Sequence, residues 1–257
     1  MISEAEKATF NNSGYLKLEG VLNQQNASRM RDALLRICER EGFWKEGCWK
    51  TSGQQSISRL KRRLKKSGAL GDFMTPDLHK ATLQLMNGSS VQPMFAKNHL
   101  LFSLPRGVGS NNDLDWHMDI PLLGDTSIPG IQLFTFIDSV GPREGGTVAV
   151  AGSHRLGKSQ QANSKEFRIQ LERTEFFGQL FSSEPSEPSH IFDAEGTVDG
   201  IELKVIEMCG EPGDVIFMDV RLWHTRFPNF SERSRMMLTQ RFLPEHVRRQ
   251  VKNRYYG

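Results

Sequence analysis

The stretch VIFMDVRLWH, residues 215–224, has the alternating pattern of a β-strand and ends in a histidine. One row of alternate positions is apolar up to its last member, and it consists of Ile216, Met218, Val220, Leu222 and His224. The other row carries Asp219, Arg221 and Trp223. Because successive side chains of a strand point to opposite faces, the pattern predicts one strand with His224 at the end of its inward-facing row.

Similar short runs occupy most of the chain between residues 95 and 243, separated by Gly, Pro, Asn and Asp. They are MFAKNHLLFSL (94–104), WHMDIPL (116–122), IQLFTFIDSV (131–140), GTVAVAG (146–152), IELKVIEMC (201–209) and SRMMLTQRFL (234–243). Strand after strand without long helices between them predicts a mainly β domain, built as a sandwich or barrel. Residues 163–200 are polar and rich in Pro and Ser near their end, which predicts an insertion with a helix and a mobile lid.

The first 94 residues are predicted to be mostly helical and to belong to the same single domain, 1–257. The run GYLKLEG (14–20) reads as a strand, and Asn23 is placed to cap a helix that continues to about Glu41. The run TPDLHKATLQLMNG (75–88) predicts a second helix that ends at Asn-Gly. Residues 42–70 have a loop-like composition, so we expect them to help cover a site.

A histidine and an aspartate lie two residues apart in DLDWHMDIPLL, residues 113–123. On a strand, His117 and Asp119 would project from one face and Met118 from the other. Taken alone, this pair fits a structural hydrogen bond at least as well as a functional site. Together with an inward-facing His224, it supplies two imidazoles and a carboxylate, which is the donor set of non-haem Fe(II) oxygenases. A catalytic Zn²⁺ site could use the same three donors.

Arg235 follows His224 across the segment HTRFPNFSERSR. A symmetric hairpin over this segment would place the two side chains opposite each other, with Cβ atoms about 5 Å apart. An inward-facing guanidinium needs an anion, which would be either a bound carboxylate or a carboxylate of the protein. Arg241 shares the parity of Arg235 and raises the same question. A protein carboxylate is the expected partner of Arg241, with an anionic substrate group as the alternative.

Four motifs in this order resemble the phytanoyl-CoA dioxygenase (PhyH-like) family over roughly residues 95–243. They are WHMD (116–119), EGGTVAVAGSHRLG (144–157), PGDVIFMDVRLWH (212–224), and Asn229-Phe-Ser followed after three residues by Arg235. The resemblance implies a double-stranded β-helix, a jelly roll of the cupin type, as the core from 95 to 243. It also implies dependence on Fe(II), 2-oxoglutarate and O₂.

Carried over to this chain, the resemblance makes His117, Asp119 and His224 the iron ligands and Arg235 the residue that binds the distal carboxylate of 2-oxoglutarate. Thr135, on the strand after the His-x-Asp pair, matches more loosely a position that touches the cosubstrate. His154, in the GSH motif, is expected to stabilise its surroundings and not to ligate the metal.

The same resemblance implies oxidative decarboxylation of 2-oxoglutarate to succinate and CO₂, coupled to oxidation of a substrate. Asp119 occupies the carboxylate position that halogenating relatives leave vacant, so halogenation is disfavoured and hydroxylation is the expected outcome. Desaturation, epoxidation and ring closure share the same oxidant. A small metabolite, with an anionic group as one option, is the expected substrate. A zinc enzyme and a binding protein on an inactive oxygenase scaffold remain the competing hypotheses.

Composition narrows the class of protein further. The 257 residues carry a net charge of +3, but RLKRRLKK (59–66) alone has six positive charges, so the remainder is net acidic. Leucines at helical spacing in that run favour a solvated helix with a buried stripe over a nucleic-acid surface. Three scattered cysteines, a polar N-terminal stretch and no long apolar run predict a cytoplasmic protein without a membrane span. The sequence indicates no oligomeric state.

Overall fold

A computed structural model describes most of the chain. The described residues are 1–46, 48–49, 54–95, 98–105, 114–120, 128–156, 168–169, 171–174, 177–181, 192 and 194–256, without the side chains of 54–57, 61, 179, 181 and 253–256. The mainly β fold class predicted from the sequence is confirmed. Two antiparallel sheets pack face to face, and helices cover the outer side of the larger sheet.

The larger sheet has six strands in the order β1-β10-β6-β12-β4, and β5 also pairs with β12. Its strands are β1 (Tyr15–Leu18), β4 (Gln92–Pro93), β5 (His99–Ser103), β6 (Ile131–Phe136), β10 (Val215–Asp219) and β12 (Arg235–Leu243). The smaller sheet has the order β11-β7-β9-β8. Its strands are β7 (Thr147–Ala151), β8 (Glu195–Val198), β9 (Ile201–Glu207) and β11 (His224–Arg226). A separate hairpin joins β2 (Trp44–Lys45) to β3 (Cys48–Trp49).

The expected single strand across residues 215–224 is wrong, because the chain leaves one sheet and enters the other within it. β10 ends at Asp219, whose carboxylate accepts from the backbone N–H of Arg221 at 2.9 Å. The backbone N–H of Leu222 donates to the Asp219 carbonyl at 2.9 Å. This aspartate-initiated turn, a common role for Asp, carries the chain to β11. Leu222 still shares an apolar cluster with Ile216 and Met218, so the predicted inward row survives the break.

The predicted hairpin between His224 and Arg235 is also wrong. β11 pairs with β7, where His224 lies opposite Ala149. β12 pairs with β5 and β6, where Arg235 lies opposite Ser103. The connection therefore crosses between the two sheets and does not fold back on itself. The two side chains approach the site from different walls of the barrel.

Within the described residues, five longer helices flank the sheets: α1 (Glu4–Ser13), α2 (Gln24–Arg40), α3 (Gln54–Lys66), α4 (Pro76–Leu85) and α5 (Glu245–Tyr256). The predicted cap at Asn23 is confirmed, since its side chain accepts from Gln25 N. In α4 the side chain of Thr75 accepts from Leu78 N. The C-terminal helix α5 had no counterpart among the sequence predictions. None of the helices in the described part of the chain is long and apolar enough to cross a membrane.

The basic run forms most of α3, and its buried leucines explain its pattern. Leu60 and Leu64 are fully buried in the cluster between the helices and the larger sheet. Arg59 and Arg63 reach the carboxylate of Glu41, at 3.5 and 3.8 Å. These contacts agree with the interpretation of the run as a solvated helix with one buried stripe.

Both faces of the central strand β6 are buried, and each face has its own apolar cluster. Ile131 and Leu133 belong to the cluster that packs under α2, α3 and α4. Phe134 and Phe136 belong to the cluster inside the barrel. All six residues of β6 are buried, so alternation of polar and apolar residues could not have shown which face is the interior.

The predicted insertion at 163–200 is shorter than expected, because residues 195–198 form β8 and pair with β9. The described part of the insertion packs as core. Leu171, Phe177 and Leu180 are buried in the cluster behind the smaller sheet. The backbone carbonyl of Leu180 accepts from Trp116 Nε1 at 3.1 Å. Much of the proposed lid, and part of the 42–70 segment, lies outside the described residues.

Candidate active site

His117, Asp119 and His224 converge at one end of the barrel interior. The described segment 114–120 lies beside β11, where His117 and His224 exchange two backbone hydrogen bonds of 2.9 Å. Metal-binding atoms of the three side chains lie within 4.8 Å of one another. Met118 faces the cluster on the opposite side. The segment forms a bridge and not a full strand, yet the predicted projection of His117 and Asp119 from one face is what the structure shows.

Backbone hydrogen bonds fix the tautomers of both histidines. Nδ1 of His117 lies 2.7 Å from the carbonyl oxygen of Asp115, and Nδ1 of His224 lies 2.8 Å from that of Leu222. Because a carbonyl oxygen only accepts, each Nδ1 carries the proton and donates it. Burial lowers the pKa of His224, which favours the neutral ring. With Nδ1 protonated, the neutral form of either ring presents the lone pair of Nε2 to the centre of the cluster, as metal-ligating histidines do.

The carboxylate of Asp119 completes the donor set. Its Oδ1 lies 3.8 Å from Nε2 of His117, and its Oδ2 lies 3.7 Å from Nε2 of His224. Oδ2 is buried and has no hydrogen-bond partner among the described residues. A buried carboxylate oxygen without a donor is costly, and a cation bound between these three donors would satisfy it. Two imidazoles and one carboxylate on one side of the metal fit Fe(II).

The exposed fraction of the side chain differs sharply among the three residues and shows from which side the donor cluster is accessible. The side chain of His117 is 43% exposed, whereas that of Asp119 is 2% exposed and that of His224 is 6% exposed. Solvent and small molecules therefore reach the three donors from the His117 side. The opposite side is closed by the apolar interior of the barrel.

The partner of Arg241 is Asp119. Nη2 of Arg241 donates to Oδ1 of Asp119, and Nε donates to Oε1 of Gln132 at 2.7 Å. Arg241 thus faces the interior, as its parity predicts, and its anion is a protein carboxylate, as expected. The alternative, in which Arg241 binds an anionic group of the substrate, depended on Arg241 having no protein partner and therefore loses its support.

Arg235 is buried in the barrel without an acidic partner. The residue is 2% exposed, and among the described residues no carboxylate oxygen lies within 4.0 Å of its guanidinium. Nε has no hydrogen-bond partner, and Nη1 contacts only the sulfur of Met237, at 3.7 Å, among the contacts of the described chain. Burial and the nearby charge of Arg226 lower the pKa of Arg235 to about 10, so it is charged at neutral pH. A charged group buried in this way needs an anion, and the described residues supply none to it.

Thr135 does not face the site. It shares its face of β6 with Leu133, whose side chain packs toward the helices, and its hydroxyl donates to the carbonyl of Asp214 at 3.0 Å. The expectation that Thr135 touches the cosubstrate finds no support in this position. Gln132, on the other face of β6, is the polar residue of this strand that reaches the site, through Arg241.

His99 is a further residue near the site, and it was not predicted from the sequence. This residue lies on β5 with the parity of Leu101, which contacts the interior cluster. Its ring packs on Phe95 with centroids 4.5 Å apart, and its pKa is lowered by burial first and then by the charges of Lys65 and Arg241. His99 therefore lines the interior near the donor cluster. The run HLLFS has a leucine in each parity, so alternation alone did not single out His99.

His154 has the structural role that the sequence predicts, and two tryptophans beside the ligand positions are also structural. His154 lies in the turn of residues 153–155, and its Nε2 contacts the carbonyl of Asn11 in α1 at 3.0 Å. Trp116 and Trp223 are buried in the cluster behind the smaller sheet. None of the three belongs to the donor cluster.

Fold and donor set together are those of the 2-oxoglutarate-dependent non-haem iron enzymes. Within that class, the family model described as phytanoyl-CoA dioxygenase (PhyH) matches residues 10–237. The chain therefore belongs to the phytanoyl-CoA dioxygenase family, as the motifs indicated, and the predicted cofactors of the class are Fe(II), 2-oxoglutarate and O₂. A comparison with curated protein sequences gave no match.

Solved structures share this fold at low sequence identity. AviO1 from Streptomyces viridochromogenes Tue57 is 19% identical, with a TM-score of 0.59 over 95% of this chain and 96% of that one. HygX from Streptomyces hygroscopicus, solved with nickel and 2-oxoglutarate, is 15% identical, with a TM-score of 0.55 over 95% and 88%. The epimerase SnoN from nogalamycin biosynthesis, solved with Fe³⁺, α-ketoglutarate and nogalamycin RO, is 16% identical, with a TM-score of 0.54 over 93% and 82%.

Proposed function

We propose that the protein is an Fe(II)- and 2-oxoglutarate-dependent dioxygenase that hydroxylates a small molecule and releases succinate and CO₂. In this proposal, His117, Asp119 and His224 ligate the iron, and Arg235 binds the distal carboxylate of 2-oxoglutarate. The structural neighbours include an epimerase, so the family does not fix the outcome of the oxidation. Hydroxylation is proposed because Asp119 fills the carboxylate position and hydroxylation is the simplest result of the shared chemistry.

The buried guanidinium of Arg235, which has no carboxylate partner among the described residues, is the observation that carries this proposal. A zinc hydrolase or a plain metal-binding protein would need the three donors but has no use for a second, empty anion site in the same interior. 2-Oxoglutarate has a carboxylate at each end. One end can approach a metal held by the three donors while the other meets Arg235 as a bidentate pair.

In this proposal each side chain of the site has its own role. Bound Fe(II) with 2-oxoglutarate and O₂ supplies the oxidising chemistry. The protonated Nδ1 atoms keep Nε2 of His117 and His224 free to ligate, and Asp119 contributes the negative charge that a divalent cation needs. Arg235 orients the cosubstrate, and the surrounding apolar side chains exclude water, which strengthens each of these charged contacts.

The substrate is proposed to approach from the exposed side of His117. His99, whose ring packs on Phe95, lies near Asp119 and Arg241 and is proposed to form part of the wall that the substrate meets. Such a wall suits a small organic molecule with an apolar body and a few polar groups. The pairing of Arg241 with Asp119 removes the reason to require an anionic substrate.

Turnover of 2-oxoglutarate without substrate tests the proposal before any substrate is known. Wild type with Fe(II), ascorbate, 2-oxoglutarate and O₂ is expected to form succinate slowly, and a true substrate from a panel of small molecules should raise that rate several-fold. His224→Ala removes one proposed ligand and serves as the blank. If wild type formed no more succinate than His224→Ala, the protein would not be an oxygenase of this class.

A further inference from the structure

Arg241 contacts the donor cluster from the larger sheet. It lies opposite Gln132 in the register of β12 and β6, and the amide oxygen of Gln132 accepts from its Nε at 2.7 Å. Its Nη2 donates to Oδ1 of Asp119. Two different nitrogens of one planar guanidinium are thus engaged at once, which fixes the orientation of the fork.

The two oxygens of Asp119 are left in different states by this contact. Oδ1 is held by Arg241, whereas Oδ2 is buried, has no hydrogen-bond partner among the described residues and lies 3.7 Å from Nε2 of His224. The backbone N–H of Asp119 donates to the Val220 carbonyl at 3.2 Å, so the main chain is held as well. A carboxylate tied down in this way offers one oxygen to a metal and withholds the other.

We propose that Arg241, braced by Gln132, is a positioning residue that keeps Asp119 a one-oxygen ligand. The inference rests on the proposed function. It matters because three one-atom ligands leave three positions on an octahedral ion, and a carboxylate that chelated with both oxygens would occupy one of them. In this role Arg241 acts through Asp119 and is not itself a ligand of the metal.

The charge of Arg241 and its geometry predict opposite effects on metal affinity. A positive guanidinium next to a cation site repels the cation, so charge alone predicts that Arg241→Met binds a metal more tightly and that Arg241→Lys changes little. Positioning predicts that both variants bind more weakly, because lysine retains the charge but not the planar fork. Loss of a residue that orients a metal ligand typically costs about 10–100-fold in affinity.

Co(II) provides readouts that do not depend on catalysis. Its affinity is measured by calorimetry, and its visible spectrum reports the number and arrangement of its ligands. We expect Arg241→Met and Arg241→Lys each to weaken Co(II) binding by about tenfold or more and to alter the spectrum. Gln132→Leu keeps the arginine but removes its brace, so we expect a smaller loss in the same direction.

Two controls separate this inference from the proposed function. If wild type bound no Co(II), or if Asp119→Ala bound it as wild type does, the proposed function would fail. If Asp119→Ala lost binding while both Arg241 variants and Gln132→Leu kept the wild-type spectrum, the role of Arg241 would be refuted and the function would stand. Tighter Co(II) binding by Arg241→Met would likewise refute it. If the arginine variants fail to fold, the effect of Gln132→Leu on Co(II) binding tests the role of Arg241.

Discussion

Asp119→Ala is expected to abolish metal-dependent stabilisation and all turnover of 2-oxoglutarate. The carboxylate is the one negatively charged donor of the cluster and is almost fully buried. Removal of one partner of a buried charged pair costs about 3–5 kcal/mol, so Ni(II) should bind at least about a hundredfold more weakly. Ni(II) is used because it binds without supporting turnover, which separates binding from chemistry.

Thermal unfolding with and without Ni(II) measures this effect. In wild type, Ni(II) at about 100 times its dissociation constant should add about 2.7 kcal/mol to the free energy of unfolding, which raises the melting temperature by about 5–10 °C for a chain of this size. Asp119→Ala should show almost no shift at the same concentration. Asp115→Ala is the matched control, since it changes an exposed carboxylate four residues away and leaves the backbone intact. A wild-type shift in Asp119→Ala would exclude Asp119 as a ligand.

Arg235→Met is expected to weaken 2-oxoglutarate binding by at least about a hundredfold while the metal still binds. The variant removes a buried bidentate partner of the distal carboxylate, at a cost of about 3–5 kcal/mol. Calorimetric titration of the Ni(II)-loaded protein with 2-oxoglutarate measures the loss. The control is Arg233→Ala, which removes a neighbouring arginine that is 66% exposed and paired with Glu144 at 2.7 Å. Equal affinity in Arg235→Met and wild type would rule out this role.

The same variant has an unusual expected effect on stability. In the free protein, Arg235 is charged and buried without a carboxylate among the described residues, and such a group destabilises the fold. Methionine fits the apolar surroundings, so Arg235→Met should melt at the same temperature as wild type or higher in the absence of 2-oxoglutarate. A large fall in melting temperature would mean that Arg235 is a structural residue.

The sequence was informative wherever residue chemistry is local. The helix cap at Asn23, the strand at residues 147–151 and the convergence of His117 with Asp119 all follow from neighbouring residues, and the structure agrees with them. The pairing of strands that lie far apart in the sequence was predicted less well. The turn at Asp219 moves the chain from one sheet to the other, and nothing in the apolar alternation around it distinguishes a turn from a continued strand.

The residues of the site were predicted best where they belong to sequence motifs. They were predicted least well where only the alternation of side chains along a strand could be used. Thr135 and Gln132 lie three residues apart on a strand that is buried on both faces, so parity could not tell which of them looks inward. The partner of Arg241 was predicted as a protein carboxylate, but its identity as Asp119 depends on packing between β12 and the segment 114–120. Such a contact is set by tertiary structure and leaves no signal in either segment alone.

Anaerobic titration of the Fe(II)-loaded protein with 2-oxoglutarate tests the central claim most directly, because it reports metal and cosubstrate binding in one site. If His117, Asp119 and His224 hold the iron and Arg235 directs the cosubstrate to it, wild type should develop a weak visible charge-transfer band that saturates with added 2-oxoglutarate. Asp119→Ala should develop none, and Arg235→Met should need at least about a hundredfold more 2-oxoglutarate. A wild-type protein that binds Fe(II) and 2-oxoglutarate without such a band would contradict the account.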